Sequence, residues 1–171
     1  MAELKGVIKA VCLSEAKGTE KRPVASVTLI ANHGLSGDAH AGNWHRQVSL
    51  LSADKVDEFN ARGGKAEIGA FGENILVSGI DFKSLPVGSI LRAGEVVLKM
   101  SQIGKECHSH CQIFHRVGDC IMPREGVFAR VLEPGTISVG DEMTIVPREG
   151  HFPWQAAVIT LGESWSGETI S

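Results

Sequence analysis

The sequence lacks long apolar runs and any strong excess of one charge. No hydrophobic run approaches the roughly 18 residues that a membrane-spanning helix needs, so no membrane span is expected. The N-terminal segment MAELKGVIKAV lacks the apolar core of a secretory signal, which predicts a cytoplasmic protein. The chain has 17 basic and 20 acidic residues, a net charge of −3, and so no electrostatic footprint for nucleic acid.

Tyrosine is absent, and aromatic residues make up only 5% of the chain. The chain also has twenty glycines and many short apolar runs. Together with the absence of tyrosine, these features favour a β protein rich in turns. The 171 residues are close to the size of one domain, and 43% hydrophobic with 22% charged residues is an ordinary globular composition. We therefore expect a folded, mainly β domain.

Short runs rich in β-branched or alternating apolar residues predict strands, and glycine or proline separates most of them. Turn signals include His33-Gly34, Ser36-Gly37, Ala93-Gly94 and Pro134-Gly135. This spacing favours an antiparallel sandwich or barrel. The predicted strands cover residues 6–13, 25–30, 47–51, 74–77, 89–91, 96–100, 136–139 and 142–146.

Three short helices are predicted among these strands. The clearest begins after Ser52, a residue suited to capping, and ends at Gly63-Gly64. A second is expected over residues 109–117. A third is expected over residues 126–132, where Val127, Phe128 and Val131 form an apolar stripe.

The C-terminal part changes in character. Residues 147–150 have the composition of a linker, and residues 156–161 (AAVITL) are typical of a buried strand. Two interpretations carry equal weight: the beginning of a truncated second domain, or a tail that adds one edge strand.

Three of the four cysteines fall in one histidine-rich segment, residues 104–130. Cys12, by contrast, lies in an apolar strand and is expected to be buried as a small hydrophobe. The cluster has two chemical interpretations beyond a structural one: a tetrahedral zinc site, or a reactive thiolate that binds sulfur or a soft metal such as molybdenum. The paired C-x₂-C knuckle of many zinc sites is absent, and residue chemistry alone leaves both open. The cluster comprises Cys107, His108, His110, Cys111, His115 and Cys120.

Two glycine-rich stretches carry further polar candidates. Residues 34–51 (GLSGDAHAGNWHRQVSLL) offer Asp38, His40, His45, Arg46 and Gln47, and arginine suits bidentate binding of phosphate or carboxylate. The structural alternative is that Asp38 caps a turn and the histidines are solvated. Residues 69–74 (GAFGEN) form either a bare turn or a nest of backbone N–H groups around an anion.

These stretches together resemble the MOSC domain, which is named for the C-terminal domain of molybdenum cofactor sulfurase. The resemblance spans roughly residues 5–147, so we expect a MOSC domain over 1–147 followed by a tail over 148–171. It implies a closed or nearly closed antiparallel β-barrel with a few short helices. The motifs that carry it are GDAHAG at 37–42, HRQVSLL at 45–51, GAFGENIL at 69–76, LPVG at 85–88, QIGKEC at 102–107, residues 122–132 and VGDE at 139–142.

The resemblance assigns the sulfur-carrying or molybdenum-coordinating role to Cys107. Residues expected to bind the molybdenum cofactor are Asp38, His40, His45, Arg46, Gln47, Glu73, Asn74 and Lys105, and the alternative zinc ligands are Cys107, Cys111, Cys120 and His108.

The resemblance also implies partners. A separate cysteine desulfurase or molybdenum cofactor biosynthesis proteins would supply or receive the sulfur, because no pyridoxal phosphate core is evident in this chain. Another activity found in the family is a molybdenum-dependent reduction of N-hydroxylated compounds. The tail at 156–161, with Gly167-Glu168, is similar to the opening of a molybdopterin-binding domain of the Mog type, to which some MOSC domains are fused.

Overall fold

A computed structural model describes residues 4–14, 21–64, 66–104 and 125–146. Within these ranges the chain forms eleven strands, one α-helix and one turn of 3₁₀ helix at Phe82–Ser84. The strands are β1 (Leu4–Leu13), β2 (Arg22–Val24), β3 (Ser26–Ile30), β4 (Gly34–Leu35), β5 (Val48–Ser52), β6 (Ile75–Ser78), β7 (Ile90–Ala93), β8 (Val96–Ile103), β9 (Val127–Glu133), β10 (Gly135–Ser138) and β11 (Glu142–Val146), and the helix is α1 (Ala53–Ala61).

Seven strands close into a barrel in the order β11-β7-β8-β9-β5-β6-β1. Closure comes from the antiparallel pairing of β1 with β11, in which Leu4 lies opposite Ile145 and Val7 opposite Glu142. Strand β2 extends the sheet beyond this ring by pairing with the end of β1. The mainly β, barrel-like fold is therefore confirmed.

The barrel is mixed, so the expectation of an antiparallel barrel is only partly right. Strands β5 and β6 run parallel, with Leu50 opposite Ile75. A parallel pair needs a crossover connection, and α1 lies in that connection. The helix begins where predicted: Ser52 is its N-cap, and its hydroxyl accepts a hydrogen bond from the backbone of Lys55 at 3.4 Å.

A second, three-stranded sheet has the order β10-β3-β4. Its β3 strand alternates strictly, with Val27 and Leu29 buried and their neighbours exposed. The segment that follows β4 and leads into β5 carries the polar motif of residues 37–47. The small sheet therefore sets where that segment begins, and the barrel strand β5 sets where it ends.

Two apolar clusters fill the structure. The larger takes residues from all seven barrel strands and from the small sheet, among them Ile8, Leu50 and Leu98. The smaller packs α1 against other residues of the same strands, including Cys12, Leu51 and Phe128. Successive side chains of a strand point to opposite faces, so β1, β5, β6 and β9 contribute to both clusters.

The third predicted helix is wrong, because residues 127–133 form strand β9. This strand lies between β5 and β8, and Val127, Phe128 and Ala129 are all buried. A strand that is buried on both faces has a continuous apolar sequence, so it lacks the alternation of apolar and polar residues that identifies a strand.

The other predicted strands are confirmed to within three residues at their ends, whereas β2 and β4 were not predicted. The helix expected over 109–117 and the tail over 148–171 lie outside the described residues. None of the helices in the described ranges is long and apolar enough to cross a membrane.

Candidate functional site

The polar segment between β4 and β5 is anchored by a buried ion pair. Lys21 Nζ lies 2.7 Å from Asp38 Oδ1, and both side chains are fully shielded from solvent. The same carboxylate accepts hydrogen bonds from the backbone N–H groups of Ser14 (3.0 Å) and His40 (3.1 Å). Asp38 therefore connects the segment between β4 and β5 to Ser14, which follows β1, and to Lys21, which precedes β2.

The environment of this pair keeps both partners charged. Burial alone would raise the pKa of Asp38, but the Lys21 ammonium and the two backbone donors outweigh it and hold the pKa below its usual range. Burial lowers the pKa of Lys21, and the hydrogen bond and charge of Asp38 oppose that effect. A buried charge left without its partner would be far more costly than the pair.

His40 belongs to the same cluster. Its Nδ1 atom lies 2.9 Å from Lys21 Nζ, and its side chain is about one-quarter exposed. Its carbonyl oxygen accepts a hydrogen bond from the indole N–H of Trp44 at 2.7 Å. The backbone and the ring of His40 are thus each held by a separate partner.

The guanidinium of Arg46 lies over two aromatic rings. Its guanidinium carbon lies 4.6 Å from the centre of the Trp44 ring and 5.6 Å from the centre of the Phe128 ring. Such contacts are favourable for a cation and orient its plane. The Nε atom of Arg46 is buried without a hydrogen-bond partner, and no ion pair among the described residues involves this arginine.

His45 lies beside Arg46 and is exposed. Its ring meets the Trp44 indole edge to face, with centroids 5.8 Å apart. Its carbonyl oxygen accepts a hydrogen bond from the Ser101 hydroxyl, which connects this segment to β8. The end of β8 and the His45–Arg46 dipeptide are therefore neighbours.

Gln47 and Asn74 are buried and use their amides within the protein. Gln47 donates to Asn32 Oδ1 (3.0 Å) and accepts from the Val131 backbone (2.9 Å), which joins the segment to β9. Asn74 accepts from the Ser49 backbone N–H (2.9 Å) and donates to the Cys12 carbonyl (3.1 Å). These two amides connect strands and fix the walls around the polar segment.

The GAFGEN motif forms a nest of backbone N–H groups, which is one of the two arrangements considered for it, and Glu73 fills this nest. Its carboxylate accepts from the backbone of Gly69 (2.8 Å) and of Phe71 (3.1 Å), so the anion in the nest belongs to the protein itself. Burial raises its pKa to about 7 although these donors lower it. Burial also raises the pKa of the Cys12 thiol to about 12, with a further contribution from the charge of Glu73.

The structure brings together Asp38, His40, His45 and Arg46 on one segment and adds two residues that the sequence analysis missed, Lys21 and Trp44. Lys21 gave no signal, because its partner lies 17 positions away. Trp44 gave a weak one: a tryptophan two positions before an arginine in a glycine-containing loop is suited to stacking.

The remaining candidates lie outside the described residues: Lys105, Cys107, His108, Cys111 and Cys120. Within the ranges that the structure covers, no group of three or more His, Cys, Asp or Glu side chains is arranged to hold a metal ion. The molybdenum and zinc assignments for the cysteine cluster stay predictions.

Solved structures share this fold. The YUAD protein from Bacillus subtilis superposes with a TM-score of 0.73 at 17% identity, covering 86% of this chain and 99% of that one. YiiM from Escherichia coli superposes with a TM-score of 0.59 at 21% identity, covering 91% of this chain and 76% of that one. At these identities the likeness concerns the fold alone.

Sequence comparison identifies the family. The uncharacterized protein YflK of Bacillus subtilis (strain 168) is 27% identical over an alignment of 144 residues that covers 77% of this chain. The aligned part covers 64% of YflK, so the chain spans a little under two thirds of that relative's length. Residues 37–144, more than half of the chain, match the MOSC domain. The chain belongs to the MOSC domain family, which is associated with molybdenum cofactor sulfurase and related proteins.

Proposed function

We propose that this MOSC domain binds the molybdenum cofactor through an anionic group at Arg46 and carries sulfur to it on Cys107. The observation that carries the proposal is the Arg46 guanidinium, which lies over the rings of Trp44 and Phe128 and has a buried Nε without a hydrogen-bond partner. An unpaired buried donor costs about 1–3 kcal/mol, and an oxyanion ligand would recover that cost.

The cofactor fits this donor set. Molybdopterin carries a phosphate, and the planar fork of an arginine donates two parallel hydrogen bonds to such a group. The two rings hold the guanidinium plane, so little side-chain entropy remains to be lost on binding. His45 adds an exposed ring next to the arginine.

Chain connectivity supports a role for Cys107 beside Arg46. Strand β8 ends at Ile103, and the backbone of Gly104 donates to the carbonyl of Gly126 at 2.6 Å. Ser101, on the same strand end, is bonded to the His45 carbonyl. Position 107 is three steps along the chain from Gly104, a span of at most about 11 Å.

The proposed sulfur step needs no net oxidant. The Cys107 thiolate attacks the terminal sulfur of a persulfide on a cysteine desulfurase, and a new S–S bond forms on Cys107. The donor S–S bond breaks, and the desulfurase cysteine leaves as a thiolate. A thiol reductant would supply the two electrons that release this terminal sulfur as sulfide and restore the Cys107 thiol, and the bound cofactor would supply the molybdenum centre that accepts it.

The other residues have supporting roles in this proposal. Lys105 and Arg46 stabilise the negative charge of the thiolate and of the phosphate, because a nearby cation favours an anion. His40 and His45 donate hydrogen bonds to the bound anion. Glu73 and Asn74 shape the surrounding walls through the backbone contacts described above.

The experiment measures sulfur loading and cofactor retention separately. The protein is incubated with a cysteine desulfurase and L-cysteine, and peptide mass spectrometry locates the mass gain of one sulfur atom. We expect it on Cys107 in the parent and its loss in C107S, whereas C12S, which removes a buried thiol, is the matched control. Sulfur on another cysteine, or equal loading of C107S, would contradict the carrier role.

The binding half is tested with Arg46 variants and molybdenum content after incubation with isolated cofactor. R46K keeps the charge but removes Nε, so we expect retention to fall about tenfold, and further in R46M. Unchanged retention in both variants would exclude Arg46 as the anchor. One zinc ion per chain, with Cys107, Cys111 and Cys120 all protected from alkylation, would instead indicate a structural zinc module.

A further inference from the structure

The Lys21 ammonium has three hydrogen-bond neighbours, and each can be assigned. Nζ lies 2.7 Å from Asp38 Oδ1, 3.2 Å from Ser14 Oγ and 2.9 Å from His40 Nδ1. A protonated lysine has three N–H donors and no acceptor. All three donors are used if the lysine is charged, and the imidazole nitrogen must then be the acceptor.

The charge state of Lys21 follows from its partner. A neutral lysine would leave the Asp38 carboxylate buried without a cation, at a cost far above that of keeping the pair ionised. Asp38 also accepts backbone N–H groups at both oxygens, which favours its ionised form. Lys21 is therefore an ammonium, and His40 Nδ1 carries a lone pair directed at it.

We propose that Lys21 is a positioning residue that fixes His40 as the neutral tautomer with its proton on Nε2, so that the ring serves the site as a hydrogen-bond donor. A ring held in this way has no lone pair left for a metal ion or for accepting a proton. The tautomer rests on geometry alone, whereas the target of the donor, an anionic group of the bound cofactor, rests on the function proposed above.

Two further contacts fix the backbone from which the ring of His40 projects. The His40 backbone N–H donates to Asp38 Oδ2, and the His40 carbonyl accepts from the Trp44 indole. Because Trp44 also stacks on Arg46, the same indole links the orientation of His40 to that of the guanidinium. Trp44 thus connects a neutral hydrogen-bond donor, the His40 ring, to a cationic one, the Arg46 guanidinium, on a single segment.

The charges around the cluster do not reverse this assignment. Asp38 Oδ2 lies 3.9 Å from His40 Nδ1, too far to accept a hydrogen bond from it. Glu73 and the Cys12 thiol also face Lys21, and a negative charge on either further favours the ammonium.

The decisive measurement is the ring tautomer in the unaltered protein. Long-range ¹H–¹⁵N correlation spectra distinguish a protonated ring nitrogen from one with a lone pair, and H40Q identifies the His40 signals by their disappearance. At pH 8 we expect protonated Nε2 and unprotonated Nδ1, with the opposite tautomer at least about tenfold rarer. A predominant Nδ1–H form would overturn the proposal, because it would require a neutral lysine.

The positioning role of Lys21 is tested with K21M, in which Asp38 becomes the nearest neighbour of Nδ1. We expect the tenfold excess of the Nε2–H form to be lost, whereas K55M, which removes a partly exposed lysine from α1, leaves it unchanged. An unaltered excess in folded K21M would show that Lys21 does not set the tautomer. If K21M does not fold, the measurement on the parent still decides the assignment.

The outcome is separable from that of sulfur loading. Failure of Cys107 to take up sulfur would refute the proposed carrier function and leave the tautomer in place. An Nδ1–H ring with normal sulfur loading would refute the inference about Lys21 alone.

Discussion

Removal of the Lys21 ammonium should leave a buried carboxylate without its cation. Both side chains of the pair are fully shielded, and methionine keeps most of the aliphatic length of lysine, so K21M changes charge more than packing. Breaking a buried pair in this way typically costs about 3–5 kcal/mol. The same substitution at an exposed pair costs little, because solvent screens it.

The structure places a limit on this cost. Asp38 in the variant can escape by taking up a proton, and each pH unit above its ordinary pKa of 3.8 costs about 1.4 kcal/mol. At pH 7 this route costs about 4 kcal/mol. The carboxylate also keeps its two backbone donors, which favours the lower part of the range. We therefore expect K21M to lose about 3–4 kcal/mol at pH 7.

The pH dependence has a definite sign. The folded-state pKa of Asp38 is depressed, so its contribution to stability is present above pH 3.8 and is lost as the pH falls through the folded value. In K21M the buried Asp38 carboxyl takes up a proton at a higher pH than it does in the parent. The difference between parent and variant should consequently narrow to about 2 kcal/mol at pH 5.

Urea unfolding followed by circular dichroism measures these differences. K55M is the matched control, because Lys55 and Glu58 form a partly exposed pair at 3.9 Å, and its free energy of unfolding should change by less than about 0.5 kcal/mol. The double variant K21M/D38N should recover at least about 2 kcal/mol relative to the sum of the single changes. A loss below about 1 kcal/mol in K21M, or a difference that does not narrow with acid, would refute the reasoning.

Three other predictions concern the surroundings of this pair. G69A should lose at least about 3 kcal/mol more free energy of unfolding than G37A in urea, since both glycines have φ +86° but only a Cβ at position 69 would clash with the Lys21 carbonyl oxygen; equal losses would exclude the clash. The pKa of Glu73 is raised from 4.5 to about 7, so this group should lower the free energy of unfolding of the parent by about 3 kcal/mol as the pH rises from 4.5 to 7. E73Q should lack this pH dependence. Cys12, with a pKa of about 12, should resist iodoacetamide at pH 8 until urea is added, and rapid native labelling in a peptide map would contradict its burial.

Local sequence patterns were sufficient to predict most strands of the barrel. Strand β3 alternates because one face is buried and the other is solvated, and the hydroxyl of Ser52 marks the start of α1. Strand β9 could not be recognised in this way. Its residues are buried on both faces, and the period that separates a strand from a helix disappears.

The candidate site was only partly predictable, for a related reason. The GDAHAG and HRQVSLL motifs indicate where polar side chains gather, since glycine and short polar residues mark a loop. The partner of Asp38 depends instead on how β1 and β2 bring residues 14 and 21 to the loop. Such a long-range pairing leaves no trace in the spacing of residues.

Closure of the barrel by β1 and β11 has a consequence for biosynthesis. The two strands occupy opposite ends of the described chain, and Leu4 pairs with Ile145. A nascent polypeptide therefore cannot complete its ring until residues 142–146 have left the ribosome. Until then the edge of β1 stays unpaired, and contacts this distant in sequence form slowly. We expect ribosome-bound chains that stop short of Glu142 to be more prone to aggregation and to proteolysis than chains extended past Val146.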